Sequence, residues 1–171
     1  KCAGLIHEMN EITRIWVVRA GFASEAHALF LESNLIALPW PALGDLRQYS
    51  TQQEVRQAFN ACYPDISAGA SVGYASQLFR FAYEINKGDR VIYPVKQTTQ
   101  LFVGVVNGGY VFNSELQNWS HQRSINWHAE INKTELPKLL LQRIGAPAQL
   151  SVALLRQDEL ALLFPASNQE R

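Results

Sequence analysis

The sequence has little cysteine, no long apolar run and no net charge. Only two of its 171 residues are cysteines, Cys2 and Cys62, and they form no CxxC pair. We therefore expect free thiols rather than a zinc site or a disulfide framework. No run approaches the roughly 18 apolar residues of a membrane helix, and Glu8 and Glu11 are untypical of a secretory signal. These absences predict a cytoplasmic protein that does not bind a membrane.

The charge balance limits the kinds of partner. Fifteen Lys and Arg residues equal fifteen Asp and Glu residues, which disfavours a nucleic-acid binder that relies on charge alone. A neutral domain can still carry one basic face, so site-specific binding stays open. Hydrophobic residues make up 47% of the chain, which is typical of a folded core. The length predicts a single domain over 1–171, with a core at about 12–155 and a frayed tail at 165–171.

The common enzyme motifs are missing as well. The sequence contains no GxxxxGK[ST], HExxH or GxSxG motif, no dinucleotide fingerprint, and no Glu/Asp-x-Lys of a metal-dependent nuclease. His121 and His128 lie near Asn126, but cysteine or acidic ligands at a suitable spacing are lacking. We predict no catalytic residue, no metal and no cofactor.

The apolar pattern changes from helical spacing to alternation at Asn86. Before that point we predict strands at 12–19 and 35–38, helices at 24–33, 51–62 and 74–85, and a loop at 66–73. After it we predict strands at 90–95, 101–106, 110–112 and 124–131, and helices at 135–144 and 156–164. Residues 150–155 fit either a strand or a helix. The pattern predicts an α+β fold with one curved mixed sheet or small β-barrel and flanking helices.

Two aromatic positions are candidates for ligand contact. Trp40 lies between Pro39 and Pro41, so its ring is held in place at the end of a strand and could stack on a planar base. Trp119 lies in a loop with His121 and Arg123, and it either folds back on the core or contacts a ligand. Trp16 and Trp127 fall within strand patterns and are predicted to be core residues.

The start of the helix predicted at 74–85 is a third candidate. Ser76 and Gln77 lie on its polar side and Arg80 adds a positive charge, which suits a phosphate or a carbonyl edge. The alternative is a simple helix cap with a solvated arginine.

Six segments occur in an order that resembles a known family: IWVVRAG at 15–21, IALPW at 36–40, LGDL at 43–46, QLFRF at 77–81, KGDRVIYP at 87–94 and FVGVV at 102–106. Over 12–131 the chain resembles the amino-terminal domain of Mrr-type, modification-dependent restriction endonucleases. That domain is similar to the EVE and PUA-like group, which includes readers of modified bases.

The resemblance implies a small β-barrel that holds an extruded base in an aromatic pocket. It implies a non-catalytic reader of methylated or hydroxymethylated cytosine in double-stranded DNA, within a bacterial restriction or defence protein whose parent polypeptide carries a nuclease domain. The expected pocket residues are Trp40, Phe22, Ser76, Gln77, Phe79 and Tyr93. The expected phosphate contacts are Arg47, Arg80, Lys96 and Arg123, with a contact loop at Trp119 and His121. A sensor of a free nucleotide or small effector, and a protein-interaction module, are the alternatives.

Overall fold

A strongly curled, half-barrel mixed sheet and five α-helices form the fold in the computed structural model, which describes residues 11–165. The strands are β1 (Ile12–Val18), β2 (Leu35–Leu38), β3 (Arg90–Pro94), β4 (Gln100–Val106), β5 (Val111–Phe112), β6 (His121–Asn132) and β7 (Leu150–Arg156). The helices are α1 (His27–Glu32), α2 (Gln52–Cys62), α3 (Ala68–Tyr83), α4 (Lys138–Arg143) and α5 (Gln157–Leu163). The predicted α+β class is confirmed. All but the first residue of the tail predicted at 165–171 lies outside the described residues.

The strands of the sheet run in the order β2-β6-β4-β3-β1-β7. β1 and β3 are parallel, and the other pairs along this order are antiparallel. β6 is the longest strand, and its first residues pair with β2 and with the short β5. The sheet thus brings the end of β2, at Leu38, beside the start of β6, at His121. Both tryptophans considered for ligand contact lie within two residues of this point.

Alternating side chains give the sheet an apolar cluster on each face. Along β1, Trp16 and Val18 belong to the larger cluster, which also takes side chains from α1, α2 and α3. Ile15 and Val17 belong to the smaller one, which α4 and α5 cover. No helix among residues 11–165 is long and apolar enough to cross a membrane.

Local signals explain most of the helix ends. The Thr51 hydroxyl accepts the Glu54 N–H at 3.1 Å and begins α2, as predicted. Asn34, the second residue beyond α1, has the left-handed φ of 52° that is typical of a helix stop. Ser24 does not cap α1, because the helix begins later and the Ser24 hydroxyl accepts the Lys96 N–H instead.

One segment differs from its predicted structure, and the structure decides between the two alternatives for another. The loop predicted at 66–73 is wrong: the Ser67 hydroxyl accepts the Ala70 N–H and α3 begins at Ala68. Two glycines lower the helix propensity of this stretch, but burial of Ala75, Leu78 and Phe81 in the larger cluster outweighs it. Residues 150–155 form a strand, because β7 pairs with β1 along its whole length.

Candidate functional site

Six chain segments meet around a pocket of about 610 Å³. They are the turn after β1, the end of β2, the residue after α2, the first half of α3, the loop before β6 and the residue before β7. Its volume lies within the roughly 300–1,000 Å³ of small-molecule sites. The lining residues are Gly21, Phe22, Glu25, Pro39, Trp40, Pro41, Tyr63, Tyr74, Gln117, Asn118, Trp119 and Gln149.

Trp40 forms one wall of the pocket together with two tyrosines. Its ring centroid lies 5.0 Å from that of Tyr63 and 4.8 Å from that of Tyr74. The main chain of Trp40 is left-handed, with φ 81° and ψ 57°. A bulky residue in this region costs about 1–3 kcal/mol and persists only where its surroundings hold it. The two flanking prolines and the aromatic packing place the ring before any ligand arrives.

His121 holds the carbonyl of Trp40 from inside the protein. Its Nε2 lies 2.9 Å from the Trp40 carbonyl oxygen, and its Nδ1 lies 2.7 Å from the Tyr110 hydroxyl. A carbonyl can only accept, so Nε2 carries the proton and Nδ1 accepts from Tyr110 in the neutral ring. The side chain is 0% exposed, and burial lowers the pKa of His121 to about 4. His121 is therefore a neutral residue that positions Trp40.

Trp119 forms a second wall of the pocket, apart from the Trp40 cluster. It is also left-handed, with φ 61°, and its carbonyl accepts the Gln122 side-chain amide at 3.1 Å. Its ring packs edge-on against Phe30 at 6.5 Å, and among the described residues it makes no ring contact with Trp40. The first two residues of β6, His121 and Gln122, thus hold the main chains of both pocket tryptophans.

Gly21 places two polar side chains next to each other at the pocket. Its N–H donates to Oε1 of Gln149 at 2.9 Å, and Gln149 is only 5% exposed. Within the described part of the chain, Nε2 of Gln149 has no hydrogen-bond partner, although it is not sealed from solvent. This amide is therefore a fixed donor that faces the pocket. A Cβ at Gly21, whose φ is 102°, would lie 1.6 Å from Oε2 of Glu25, so the carboxylate occupies the space a side chain would take.

The structure brings three sequence-predicted residues to this pocket: Phe22, Trp40 and Trp119. Phe22 is 64% exposed and lies at its mouth. Sequence reasoning missed Glu25, Gln149, Tyr63 and Tyr74. Tyr74 did stand out, but as a member of an apolar helical stripe. Gln149 had no signal, because a glutamine before a strand is typical of any loop.

Four other expected pocket residues lie elsewhere. Ser76 and Gln77 are in the middle of α3, where the main-chain N–H groups are already bonded, so the expected helix start is wrong. Oε1 of Gln77 accepts the Leu150 N–H at 3.2 Å. The ring of Phe79 packs at a tilt against that of Tyr83, with centroids 4.9 Å apart. Tyr93 is fully buried, and its hydroxyl lies 2.8 Å from Nδ1 of His27; burial raises the pKa of Tyr93 to about 12.

The structure separates the two residues of the expected contact loop. Trp119 does lie in a loop at the pocket. His121 is the first residue of β6 and is completely buried, so it cannot touch a ligand directly.

Most of the expected phosphate-binding cations are already engaged. Arg123 is only 4% exposed and donates to the carbonyls of Phe81 and Ala82, at 2.7 and 2.8 Å, at the end of α3. Desolvation by burial lowers the pKa of Arg123. Arg123 therefore supports the fold and is not available to DNA in this structure.

Arg80 and Arg47 are paired on the surface. Arg80 donates to Glu84 at 3.0 Å, and Arg47 contacts Asp45 at 2.6 Å. The Arg80 hydrogen bond, together with that of Arg14, lowers the pKa of Glu84.

Two other cations belong to segments that are hydrogen-bonded close to the pocket. Lys96 is exposed, and its N–H donates to the Ser24 hydroxyl, next to Glu25. The N–H of Arg19 donates to the Gln149 carbonyl at 2.8 Å, and its Nε donates to the Ala146 carbonyl. Neither cation has a carboxylate within ion-pair distance among residues 11–165. Lys96 was expected from the sequence, whereas Arg19 was not.

Comparison with known proteins identifies one family. No curated protein and no solved structure matches the chain. The model of one family, described as a domain of unknown function, DUF8426, matches residues 16–145. This span includes both pocket tryptophans, Glu25 and His121, and ends just before Gln149. The chain therefore belongs to the DUF8426 family.

Proposed function

We propose that this domain is a non-catalytic module that reads a modified base of double-stranded DNA, most simply a methylated or hydroxymethylated cytosine. The base would be turned out of the helix into the pocket between Trp40 and Trp119. In this proposal the domain works in the cytoplasm as part of a restriction or defence protein with a nuclease domain in the same polypeptide. The resemblance to the EVE and PUA-like group supports this context.

The observation that carries the proposal is the pair of aromatic walls around one pocket. A flat base gains stacking energy from such walls with little ordering cost, because Trp40 and Trp119 are held in place by main-chain contacts. An extruded base also needs polar groups that read its edge. The Gln149 amide supplies a donor of fixed orientation, and Glu25 supplies an acceptor.

Phosphate contacts would come from Lys96 and Arg19. The main-chain N–H of Arg19 donates to the pocket residue Gln149, and that of Lys96 donates to Ser24, the residue before Glu25. Neither cation is paired with a described carboxylate. Local positive charge beside the pocket is compatible with the zero net charge of the whole chain. It would give binding that weakens as salt rises, with a slope set by a few contacts.

Trp119→Ala tests the proposal, with Phe79→Ala as the matched control. Each substitution removes a half-buried aromatic ring, but Phe79 lies outside the pocket. Binding is measured by fluorescence anisotropy on duplexes with one methylated, one hydroxymethylated or one unmodified cytosine. Trp119→Ala should weaken binding of the preferred modified duplex about 5- to 150-fold, the loss of one stacking contact. Phe79→Ala should leave it unchanged.

The proposal fails if folded Trp119→Ala binds every duplex as the parent does. It also fails if the parent binds modified and unmodified duplexes equally, since the pocket then contributes nothing to recognition.

A sensor of a small effector remains the second candidate. Glu25 is the only charged side chain among the described residues that line the pocket, and a carboxylate there disfavours phosphate groups. This observation favours an effector without phosphate over a free nucleotide. Tight binding of a small molecule by a chain that ignores DNA would identify this function instead.

A further inference from the structure

The pocket has an unusual charge for a site that meets nucleic acid. Among its described lining residues there is one carboxylate, Glu25, and there is no Lys, Arg or His. Glu25 also has no ion-pair partner in the described part of the chain. Tyr63 is a neutral phenol near neutral pH, and burial raises its pKa further. The lining of the pocket thus carries one negative charge, while the cations Lys96 and Arg19 are not among the lining residues.

The walls add to this negative character. Phe22, Trp40, Tyr63, Tyr74 and Trp119 all line the pocket. The face of an aromatic ring is electron-rich and attracts a cation, most strongly in tryptophan. A neutral base gains only stacking from these rings, whereas a positively charged ring system gains stacking and electrostatic attraction together.

We propose, resting on the function proposed above, that the pocket selects a base that carries a positive charge, as bases methylated on a ring nitrogen do. Examples are 3-methylcytosine and 1-methyladenine, in which the methyl group fixes a delocalised positive charge on the ring. The aromatic walls would stack on the ring, and Glu25 would accept an exocyclic N–H and offset the charge. The Gln149 amide would donate to a carbonyl or ring nitrogen of the same base.

The geometry at Gly21 suits the hydrogen-bonding edge of such a base. Its N–H orients Gln149, and the Glu25 carboxylate occupies the space beside its Cα. A donor and a charged acceptor therefore stand next to each other, as an edge with one acceptor and one N–H group requires. Methylation of a pairing nitrogen also blocks the base pair, so less energy is needed to turn such a base out of a duplex.

Two isomers of methylcytosine separate the effect of the positive charge from the effect of the methyl group. 3-Methylcytosine is cationic and 5-methylcytosine is neutral near neutral pH, although both carry one methyl group. Each is placed once in the same single-stranded oligonucleotide, where neither base is paired, and binding is measured by anisotropy at low and high salt. The parent should prefer the 3-methyl strand about 3- to 30-fold, and the preference should shrink at high salt because Glu25 is exposed.

Glu25→Gln is the test variant and Glu32→Gln, on the exposed end of α1, is its control. Glu25→Gln keeps the shape and a hydrogen-bonding oxygen but removes the charge, so the preference should fall to the part that the aromatic rings supply, while the 5-methyl strand binds as before. Glu32→Gln should keep the parent preference. Circular dichroism of each variant checks the fold.

Three outcomes overturn the inference. Equal binding of the two isomers, with a loss in Trp119→Ala, removes charge selection and leaves base reading intact. If Glu25→Gln prefers the 3-methyl strand as strongly as the parent does, the carboxylate does not select the charge. No binding of either strand, together with binding of a simple organic cation such as tetramethylammonium, removes base reading itself.

Discussion

Acidification should weaken this fold through His121, which is buried and neutral in the folded chain. Its pKa falls from 6.5 to about 4 on folding, because burial penalises the charged ring. Between these values the unfolded chain binds more protons than the folded one, so the free energy of unfolding falls as the pH falls. The contribution is fully present above pH 6.5 and is lost progressively as the pH approaches 4.

The magnitude follows from the shift. Each pKa unit corresponds to about 1.36 kcal/mol, so the whole shift is equivalent to about 3 kcal/mol. From about pH 7.5 to about pH 4.5 the expected loss is about 2.5 kcal/mol. Domains have total stabilities of about 5–15 kcal/mol, so this loss is large. The carboxylates Asp45 and Glu84 have lowered pKa values, and their stabilisation is lost mostly at lower pH.

Urea unfolding followed by tryptophan fluorescence at several pH values measures this slope. His121→Gln removes the titrating ring but keeps a donor that can reach the Trp40 carbonyl. We expect it to be less stable than the parent near neutral pH, because Tyr110 loses its acceptor. Its stability should then stay nearly flat over the range where the parent loses about 2.5 kcal/mol.

The exposed His128 provides the control, since His128→Gln should keep the parent slope. The reasoning is refuted if His121→Gln retains the full pH dependence of the parent. It is refuted equally if the parent shows no loss of stability in this range.

Three further substitutions test single contacts. Arg123→Lys should lower the free energy of unfolding by about 1–3 kcal/mol, because a compact ammonium group on a flexible stem does not reproduce the planar fork that the guanidinium directs at the carbonyls of Phe81 and Ala82; a parent-like urea midpoint would show that Arg123 is not a structural residue. Gly21→Ala should destabilise the fold by at least about 1 kcal/mol, because a left-handed φ and contact with Glu25 both oppose a Cβ; a variant as stable as the parent would contradict this geometry of the turn. Thr51→Ala should cost about 1 kcal/mol through the lost helix cap, and an unchanged midpoint in urea would show that the cap contributes nothing.

The sequence by itself determined most elements of the fold. Alternation along residues 90–95 and 101–106 predicted β3 and β4, since strand side chains repeat every two residues. The capping pair Thr51 and Glu54 located the start of α2, because caps act through neighbouring residues. Trp40 was also a sound candidate from sequence alone, because flanking prolines restrict the main chain whatever the tertiary fold.

Only the tertiary structure decided which candidates meet. Trp119 and Trp40 are far apart in sequence, and the pairing of β2 with β6 brings their segments together. That pairing depends on which strand edges become buried, which no local pattern encodes. Gln149 is likewise drawn to Gly21 by the pairing of β7 with β1.

Burial decided the roles of the charged and polar residues. Arg123 and Tyr93 have the chemistry of ligand-binding groups, yet one supports the end of a helix and the other lies in the core. An arginine or a tyrosine reads the same in a sequence whether it faces solvent or the interior. Its partners follow from contacts between distant segments, and these exist only once the sheet has curled and the helices have packed against it.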